Sequence, residues 1–125
     1  MQFIITGNYY KKNCMPSMND YILKCRYNKF GANNFKKEYQ SIAISAIREA
    51  KIKPVEKPIT LIFTFGETSR KRDYDNVASF AIKVILDALQ DTGIIPNDNQ
   101  KWVKGWQCFF EETKEPYIKV EIENA

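Results

Sequence analysis

One segment constrains the fold of this 125-residue chain more than any other, the stretch from Asp75 to Thr92, which would be apolar on almost every side as a helix. At about 100° per residue, its polar residues fall on one narrow strip. The pattern therefore predicts a helix that is mostly buried. Gly93 fits the position just after the helix end, and Pro96 prevents the helix from continuing. The polar strip contains Asn76, Ser79, Lys83, Asp87 and Gln90.

The remaining patterns predict an α+β fold with a small mixed β-sheet and two main helices. Helix and strand assignments follow from apolar spacing, from β-branched and aromatic runs, and from Asn33 or Asn34 as a helix cap. The chain length suits a single domain over residues 1–125. In chain order, the predicted elements are a strand at 2–6, a long loop at 7–31, a helix at 34–50, a strand at 58–65, the apolar helix at 75–92, and a hairpin with arms at 101–111 and 117–123 around a turn at 113–116.

Composition excludes several chemistries. The chain has no histidine, which rules out a histidine general base and a histidine-rich zinc site. Cys14, Cys25 and Cys108 form no C-x-x-C pair, so they indicate neither a zinc knuckle nor a disulfide framework. No apolar run approaches the roughly 20 residues of a membrane span, and the N-terminus lacks the features of a secretion signal. We therefore expect a cytoplasmic protein with no membrane partner.

Charge is unevenly distributed along the chain. Residues 1–72 carry 14 Lys and Arg against 5 Asp and Glu, whereas residues 73–125 carry 5 against 10. A basic half suits a polyanionic partner, and the acidic half contains the candidate metal ligands. Two differently charged, solvated faces would give the same distribution, so charge alone leaves both interpretations open.

Charged residues around the apolar helix suggest a metal-dependent hydrolytic site. Asp73 and Asp75 stand at its start, and Asp98 follows its C-terminal turn. Carboxylates of this kind hold hard ions such as Mg²⁺. Structural alternatives exist, because an aspartate is an ordinary N-cap and P-N-D-N is an ordinary turn. Lys83, on the polar strip, could stabilise developing phosphate charge or simply pair with Asp87.

Two groups of basic residues suggest contact with nucleic acid. Arg70, Lys71 and Arg72 immediately precede the aspartate pair and suit a substrate with negative phosphates, although they could equally just neutralise the aspartates. In the predicted long loop, basic and aromatic residues interleave, a pattern that suits nucleic-acid contact, although aromatic residues in a small domain are more often core. These residues are Tyr9, Tyr10, Lys11, Lys12, Lys24, Arg26, Tyr27 and Lys29.

Taken together, these motifs resemble the RusA family of Holliday-junction resolvases, which are small phage- and prophage-borne endonucleases. The sequence P-S-M-N-D-Y at residues 16–21 is similar to the family's P-S-x-N-x-Y stretch. The resemblance continues through R-D-Y-D-N at 72–76, D-A-L at 87–89 and D-N-Q at 98–100. The combination, in this order, is far more specific than any of its parts.

The resemblance implies roles for individual residues. Asp73, Asp75 and Asp98 would bind Mg²⁺, with Mn²⁺ as an alternative metal. Lys83 lies four residues before Asp87, as the family's functional lysine lies four residues before its D-A-L motif. Counted forward from Asn76, however, Lys83 falls about one helical turn later than the family's lysine does. Candidate DNA-binding residues are Arg70, Lys71, Arg72, Lys11, Lys12, Asn19, Lys24 and Arg26.

The resemblance also implies a homodimer with two active sites, one for each of two opposed strands of a four-way DNA junction. The two-fold symmetry of such a junction matches that of a dimer. Aromatic residues near the C-terminus are candidates for either the interface or the core: Trp102, Trp106, Phe109 and Phe110.

We therefore expect an Mg²⁺-dependent, structure-specific endodeoxyribonuclease that resolves Holliday junctions by paired phosphodiester hydrolysis. One alternative is a non-catalytic protein that binds branched DNA on the same fold, with carboxylates that only cap the helix. Another is a phosphotransfer or sugar-nucleotide enzyme with a D-x-D motif, which the absence of a Gly-rich phosphate loop disfavours.

Overall fold

Four strands and three helices form within residues 1–6 and 15–125, the part of the chain that the computed structural model describes. The fold is α+β, as predicted. A third, shorter helix accompanies the two main ones. In chain order, the elements are β1 (Gln2–Thr6), α1 (Met18–Tyr27), α2 (Lys29–Glu49), β2 (Ile59–Glu67), α3 (Tyr74–Asp91), β3 (Val103–Glu112) and β4 (Tyr117–Asn124).

The strands form one mixed sheet in the order β1-β4-β2-β3. β2 pairs with β3 in parallel and with β4 antiparallel, and β1 pairs with β4 antiparallel. The parallel pair requires a crossover connection, which α3 supplies. Because the chain passes from the end of β2 directly into α3, the start of this helix lies at the C-terminal edge of the central strand.

The predicted hairpin between the last two strands is wrong, because β2 lies between β3 and β4. Residues 113–116 cross the end of β2, where the Thr113 amide donates to the Glu67 carbonyl at 2.8 Å. Four residues are long enough to cross two strand spacings of about 4.8 Å each. The crossing is so close that a Cβ on Gly66 would overlap the ring of Tyr117. The alternation of apolar and polar residues predicted β3 and β4 as strands, but it contained no information on whether another strand lies between them.

One face of the sheet carries the hydrophobic core, and the helices cover it. Alternate strand residues point into this core, as a period of two requires. α3 is the most deeply buried helix, with ten buried residues, which confirms the prediction from its apolar pattern. The largest buried strand residues are Phe3, Ile5, Ile59, Leu61, Phe63 and Phe65.

The predicted loop at residues 7–31 is wrong over its second half, where α1 and the start of α2 lie. None of the ten residues of α1, all of them within the described part of the chain, is buried, so the apolar spacing that reveals a helix is weak. A capping box forms α1 instead: Ser17 and Asp20 each accept a hydrogen bond from the other's backbone amide. Tyr21 then packs on the ring of Phe80 in α3, at a centroid distance of 5.3 Å.

α2 begins five residues earlier than predicted. Asn28 caps it by accepting hydrogen bonds from the amides of Phe30 and Gly31.

Gly93 follows the C-terminal end of α3 and has a positive φ of 76°, as expected of a glycine just after a helix. Among the described residues, no helix has the length and apolar character needed to cross a membrane.

Candidate active site

The start of α3 presents two exposed carboxylates, which are two residues apart in the sequence. Asp73 occupies the N-cap position with extended backbone angles, but its side chain makes no capping hydrogen bond. Asp75 lies in the first turn, where one carboxylate oxygen accepts from the Asn76 amide at 2.9 Å. The partial positive charge at a helix N-terminus favours anionic side chains there. Because Asp73 does not cap the helix with its carboxylate, that group remains available to a ligand.

A hydrogen bond joins this helix start to α1. The Asn19 amide donates to the side-chain oxygen of Asn76 at 2.9 Å, across 57 residues of sequence. Two of the motifs that carried the family resemblance, at residues 16–21 and 72–76, therefore meet in space. Asn19 itself is exposed at the beginning of α1.

An open groove of about 610 Å³ runs along α3 from Asp75. Asp75 and Asp87 both line it, and twelve residues of α-helix span about 18 Å. Met18 of α1 and Trp106 of β3 also line this groove. The further lining residues are Ala78, Ser79, Ile82, Lys83, Leu86, Asp98 and Cys108.

Lys83 is exposed in this groove, eight residues or about 12 Å after Asp75. The alternative of a Lys83 pair with Asp87 is not seen, because Asp87 forms an ion pair with Lys36 of α2 instead. Within the described ranges, Lys83 makes no ion pair. Its ammonium group is therefore available to an anionic ligand in the groove.

Asp98 lies at the other end of α3 from Asp75. Its backbone amide donates to the side-chain oxygen of Gln90 at 3.3 Å. Gln90 follows Asp75 by fifteen residues, about 22 Å of helix. One chain thus brings Asp73 and Asp75 together but leaves Asp98 apart from them. In the described part of the chain, no three acidic or thiol side chains form a group that could hold a metal ion.

The carboxylate pair by itself fits a hard divalent cation. Mg²⁺ is commonly held by one or two carboxylates, with water and substrate phosphates completing its coordination. Asp73 and Asp75 supply that number of hard oxygen donors at an exposed site. Cys108 of the groove does not join them as a thiolate, because burial raises the pKa of its thiol.

The three basic residues before Asp73 have different surroundings. Arg70 is highly exposed and lies 3.3 Å from Glu112, and Lys71 is exposed as well. Arg72 is only partly exposed, and its guanidinium contacts Glu67 and the Met15 carbonyl. Lys24 and Arg26 are exposed in the last turn of α1, whereas the predicted Lys11 and Lys12 contacts, with Tyr9 and Tyr10, lie outside the described residues.

Two aromatic features were not resolved by sequence reasoning. Trp106 is half-exposed in the groove wall, whereas Phe110 stacks on Tyr74 at a centroid distance of 4.4 Å. Their spacing in β3 puts both on one face of the sheet, and their register with the buried Leu61 and Phe65 of β2 shows that this face is the one the helices cover. Tyr27 and Phe30, at the corner between α1 and α2, are 84% and 83% exposed.

The fold and the site together define a class, a small α+β domain with paired carboxylates at the start of a buried helix beside a basic loop, as expected of a phosphodiester-cleaving protein. The chain matches the family described as endodeoxyribonuclease RusA over residues 15–123, and it belongs to that family. Comparison with curated proteins gave no match. Membership implies an endonuclease of Holliday junctions, with branched DNA as the substrate class, and confirms the resemblance seen in the sequence.

Proposed function

We propose that this protein is an active, Mg²⁺-dependent endodeoxyribonuclease that resolves Holliday junctions by paired hydrolysis, with Mn²⁺ as an alternative metal. The observation that carries the proposal is the pair of exposed carboxylates, Asp73 and Asp75, at the start of α3, of which Asp73 makes no capping bond. A protein that used these residues only to cap the helix would use the Asp73 side chain for that purpose.

Asp73 and four residues of the groove have roles in this proposal. Asp73 and Asp75 would hold the metal ion, which when bound supplies Lewis-acid activation of water and stabilises negative charge on the phosphate. Lys83, without an ion pair in the described part of the chain, would contribute positive charge towards the phosphate. The protonated Cys108 and the Trp106 ring form a less polar wall, which strengthens these charge interactions.

Asp98 would act on this metal only from a second copy of the chain. Its bond to Gln90 holds it near the end of α3 that is far from Asp75 in the same chain. A two-fold dimer that sets the grooves of two copies against each other would bring the Asp98 end of one near the Asp75 end of the other. This arrangement would explain why the protein acts as the homodimer that the family resemblance implies, because each active site would need residues from both chains.

The DNA arms would be held by the exposed cations of the basic loop and α1. Arg70 and Lys71 flank the carboxylates, and Lys24 and Arg26 extend the positive surface along α1. Tyr27 and Phe30 stand beside the α1 cations on a corner made rigid by the Asn28 cap. Exposed aromatic rings next to cations suit stacking on unpaired bases, which a branch point offers. Asn19 would lie close to the DNA backbone near the site.

A cleavage assay with two DNA substrates tests the proposal. The purified protein is incubated with a labelled four-way junction and with a matched linear duplex, each with Mg²⁺ and with EDTA. We expect paired, symmetric nicks in the junction only and only with Mg²⁺. Asp75→Asn should abolish them while junction binding persists, because it removes a metal ligand without adding repulsion. The exposed Glu56→Gln, remote in sequence from the site, is the control.

Binding of the junction without cleavage under Mg²⁺ or Mn²⁺ would instead establish the alternative, a non-catalytic protein that binds branched DNA. Wild-type cleavage by a folded Asp75→Asn variant would show that the nuclease activity resides elsewhere.

A further inference from the structure

The guanidinium of Arg72 bonds to groups from different parts of the chain. Its Nε and Nη2 donate to the two carboxylate oxygens of Glu67 at 2.7 and 3.1 Å. Its Nη1 donates to the carbonyl of Met15 at 2.9 Å. The side chains of Arg72 and Glu67 are only 26% and 16% exposed. A two-pronged, partly buried pair of this kind is among the stronger hydrogen-bonded contacts in proteins.

Together with the bond from Asn19 to Asn76, these bonds fix the backbone on both sides of the carboxylate pair. Glu67 is the last residue of β2, and Arg72 immediately precedes Asp73. Met15 lies just before the capping box that begins α1, and α1 returns to α3 through the bond from Asn19 to Asn76. Arg72 therefore links the end of β2 to the start of α1, and the bond from Asn19 to Asn76 links α1 to the first turn of α3.

We infer that Arg72 is a positioning residue: with Glu67 it sets the placement of Asp73 and Asp75, and it is not a DNA contact like Arg70 and Lys71. The inference rests on the proposed nuclease function. Three of its N–H directions already point at protein acceptors, and the Glu67 carboxylate balances its charge. It therefore adds little to the field that attracts DNA. Its contribution is geometric, and misplacing a reacting group by about 1 Å can lower a rate on the order of a hundredfold.

Substitution of Glu67 separates the two roles. If Arg72 contacts phosphate, Glu67→Gln releases it and removes a negative charge, so junction affinity should rise and cleavage should persist. If Arg72 positions the carboxylates, the same substitution should lower cleavage. Arg72→Lys keeps the charge but loses the planar fork, so it should behave like Glu67→Gln. Glu112→Gln is the matched control, because Glu112 pairs with Arg70 of the same loop in an exposed position.

Four measurements on the full chain give the result. Thermal melting selects folded variants, junction affinity is titrated at several salt concentrations, and cleavage is followed in a single turnover at saturating protein. We expect Glu67→Gln and Arg72→Lys to cut roughly tenfold to a hundredfold more slowly, with junction affinity equal to or tighter than wild type and an unchanged salt dependence. Amide hydrogen exchange at residues 17–21 should accelerate in both variants, because the Met15 anchor is weakened. Glu112→Gln should cut and exchange as wild type does, with junction affinity equal to or tighter than wild type, because it removes one negative charge beside Arg70.

The opposite pattern overturns the inference. It would consist of wild-type cleavage by Glu67→Gln together with weaker junction binding by Arg72→Lys, as expected if the planar fork of Arg72 itself contacts a phosphate. The proposed function fails separately, if the wild-type protein itself does not cut. In that event hydrogen exchange decides, and unchanged exchange at residues 17–21 in both variants would overturn the positioning role as well.

Discussion

The backbone amide of Asp98 donates a hydrogen bond to the side chain of Gln90, and this bond holds Asp98 near the C-terminal end of α3. Asp75 stands at the N-terminal end of the same helix, about 22 Å from Gln90 along the axis. The two aspartates thus mark opposite ends of one groove. Their separation bears directly on how many chains build one active site.

Mixing two inactive variants tests whether that site spans two chains. Asp75→Asn and Asp98→Asn should each abolish cleavage. In a mixed dimer with shared sites, one site carries both substitutions and the other carries neither. The mixture should therefore nick one strand of the junction, measured on a substrate with each strand separately labelled. A mixture as inactive as its components would place all the required carboxylates in one chain.

Lys83 should be required for cleavage and not for binding. We expect Lys83→Met to slow single-turnover cleavage by roughly a hundredfold with little change in junction affinity, because its exposed ammonium serves the groove. Ser79 lies one turn nearer Asp75 on the same groove wall, so adding Ser79→Lys should restore part of the rate. Lys37→Met, an exposed position of α2, is the control. Full activity of the Lys83→Met variant would remove Lys83 from the mechanism.

The aromatic corner should distinguish junctions from duplexes. Tyr27→Ala combined with Phe30→Ala should weaken junction binding roughly tenfold and leave duplex binding nearly unchanged, as followed by fluorescence anisotropy. Tyr27→Phe keeps the ring and should bind as wild type does. Since both rings are more than 80% exposed, the melting temperature should not fall. An equal loss on both DNA substrates would contradict base stacking at the branch point.

Gly66 should be needed for stability. A Cβ there would overlap the Tyr117 ring where residues 113–116 cross β2, so Gly66→Ala should lower the free energy of unfolding by about 1–3 kcal/mol. Gly105→Ala provides the matched control, because a Cβ at that strand position meets no atom within 4 Å. Urea denaturation measures both. Equal stability of the two variants would show that the crossing can relax.

Sequence patterns predicted the helices and strands that are apolar on one face or on nearly every side. The buried α3, the core strand β2 and the exposed-buried alternation of β4 follow from side-chain periodicity. α1 was missed because none of its residues is buried, and its capping box is a local signal in a segment otherwise typical of a loop. The hairpin was wrong because strand adjacency depends on long-range pairing.

The same division holds for the site. The residue types and their order in the sequence were enough to identify the family. They also predict which carboxylates would hold a metal ion, because hard divalent cations prefer carboxylate oxygens. The partners of individual side chains were not predictable. Arg72 looked equivalent to Arg70 and Lys71 in sequence, yet its contacts with Glu67 and Met15 differ entirely from theirs.

By itself, the sequence determined the α+β class, the buried helix and the family, and it supplied the candidate metal ligands. Only the tertiary structure decided that β2 separates β3 from β4, that Arg72 faces Glu67, and that Asp98 bonds to Gln90 near the far end of α3 from Asp75. The reason is physical: periodicity and residue chemistry are local properties, whereas distances between side chains depend on how distant segments pack together.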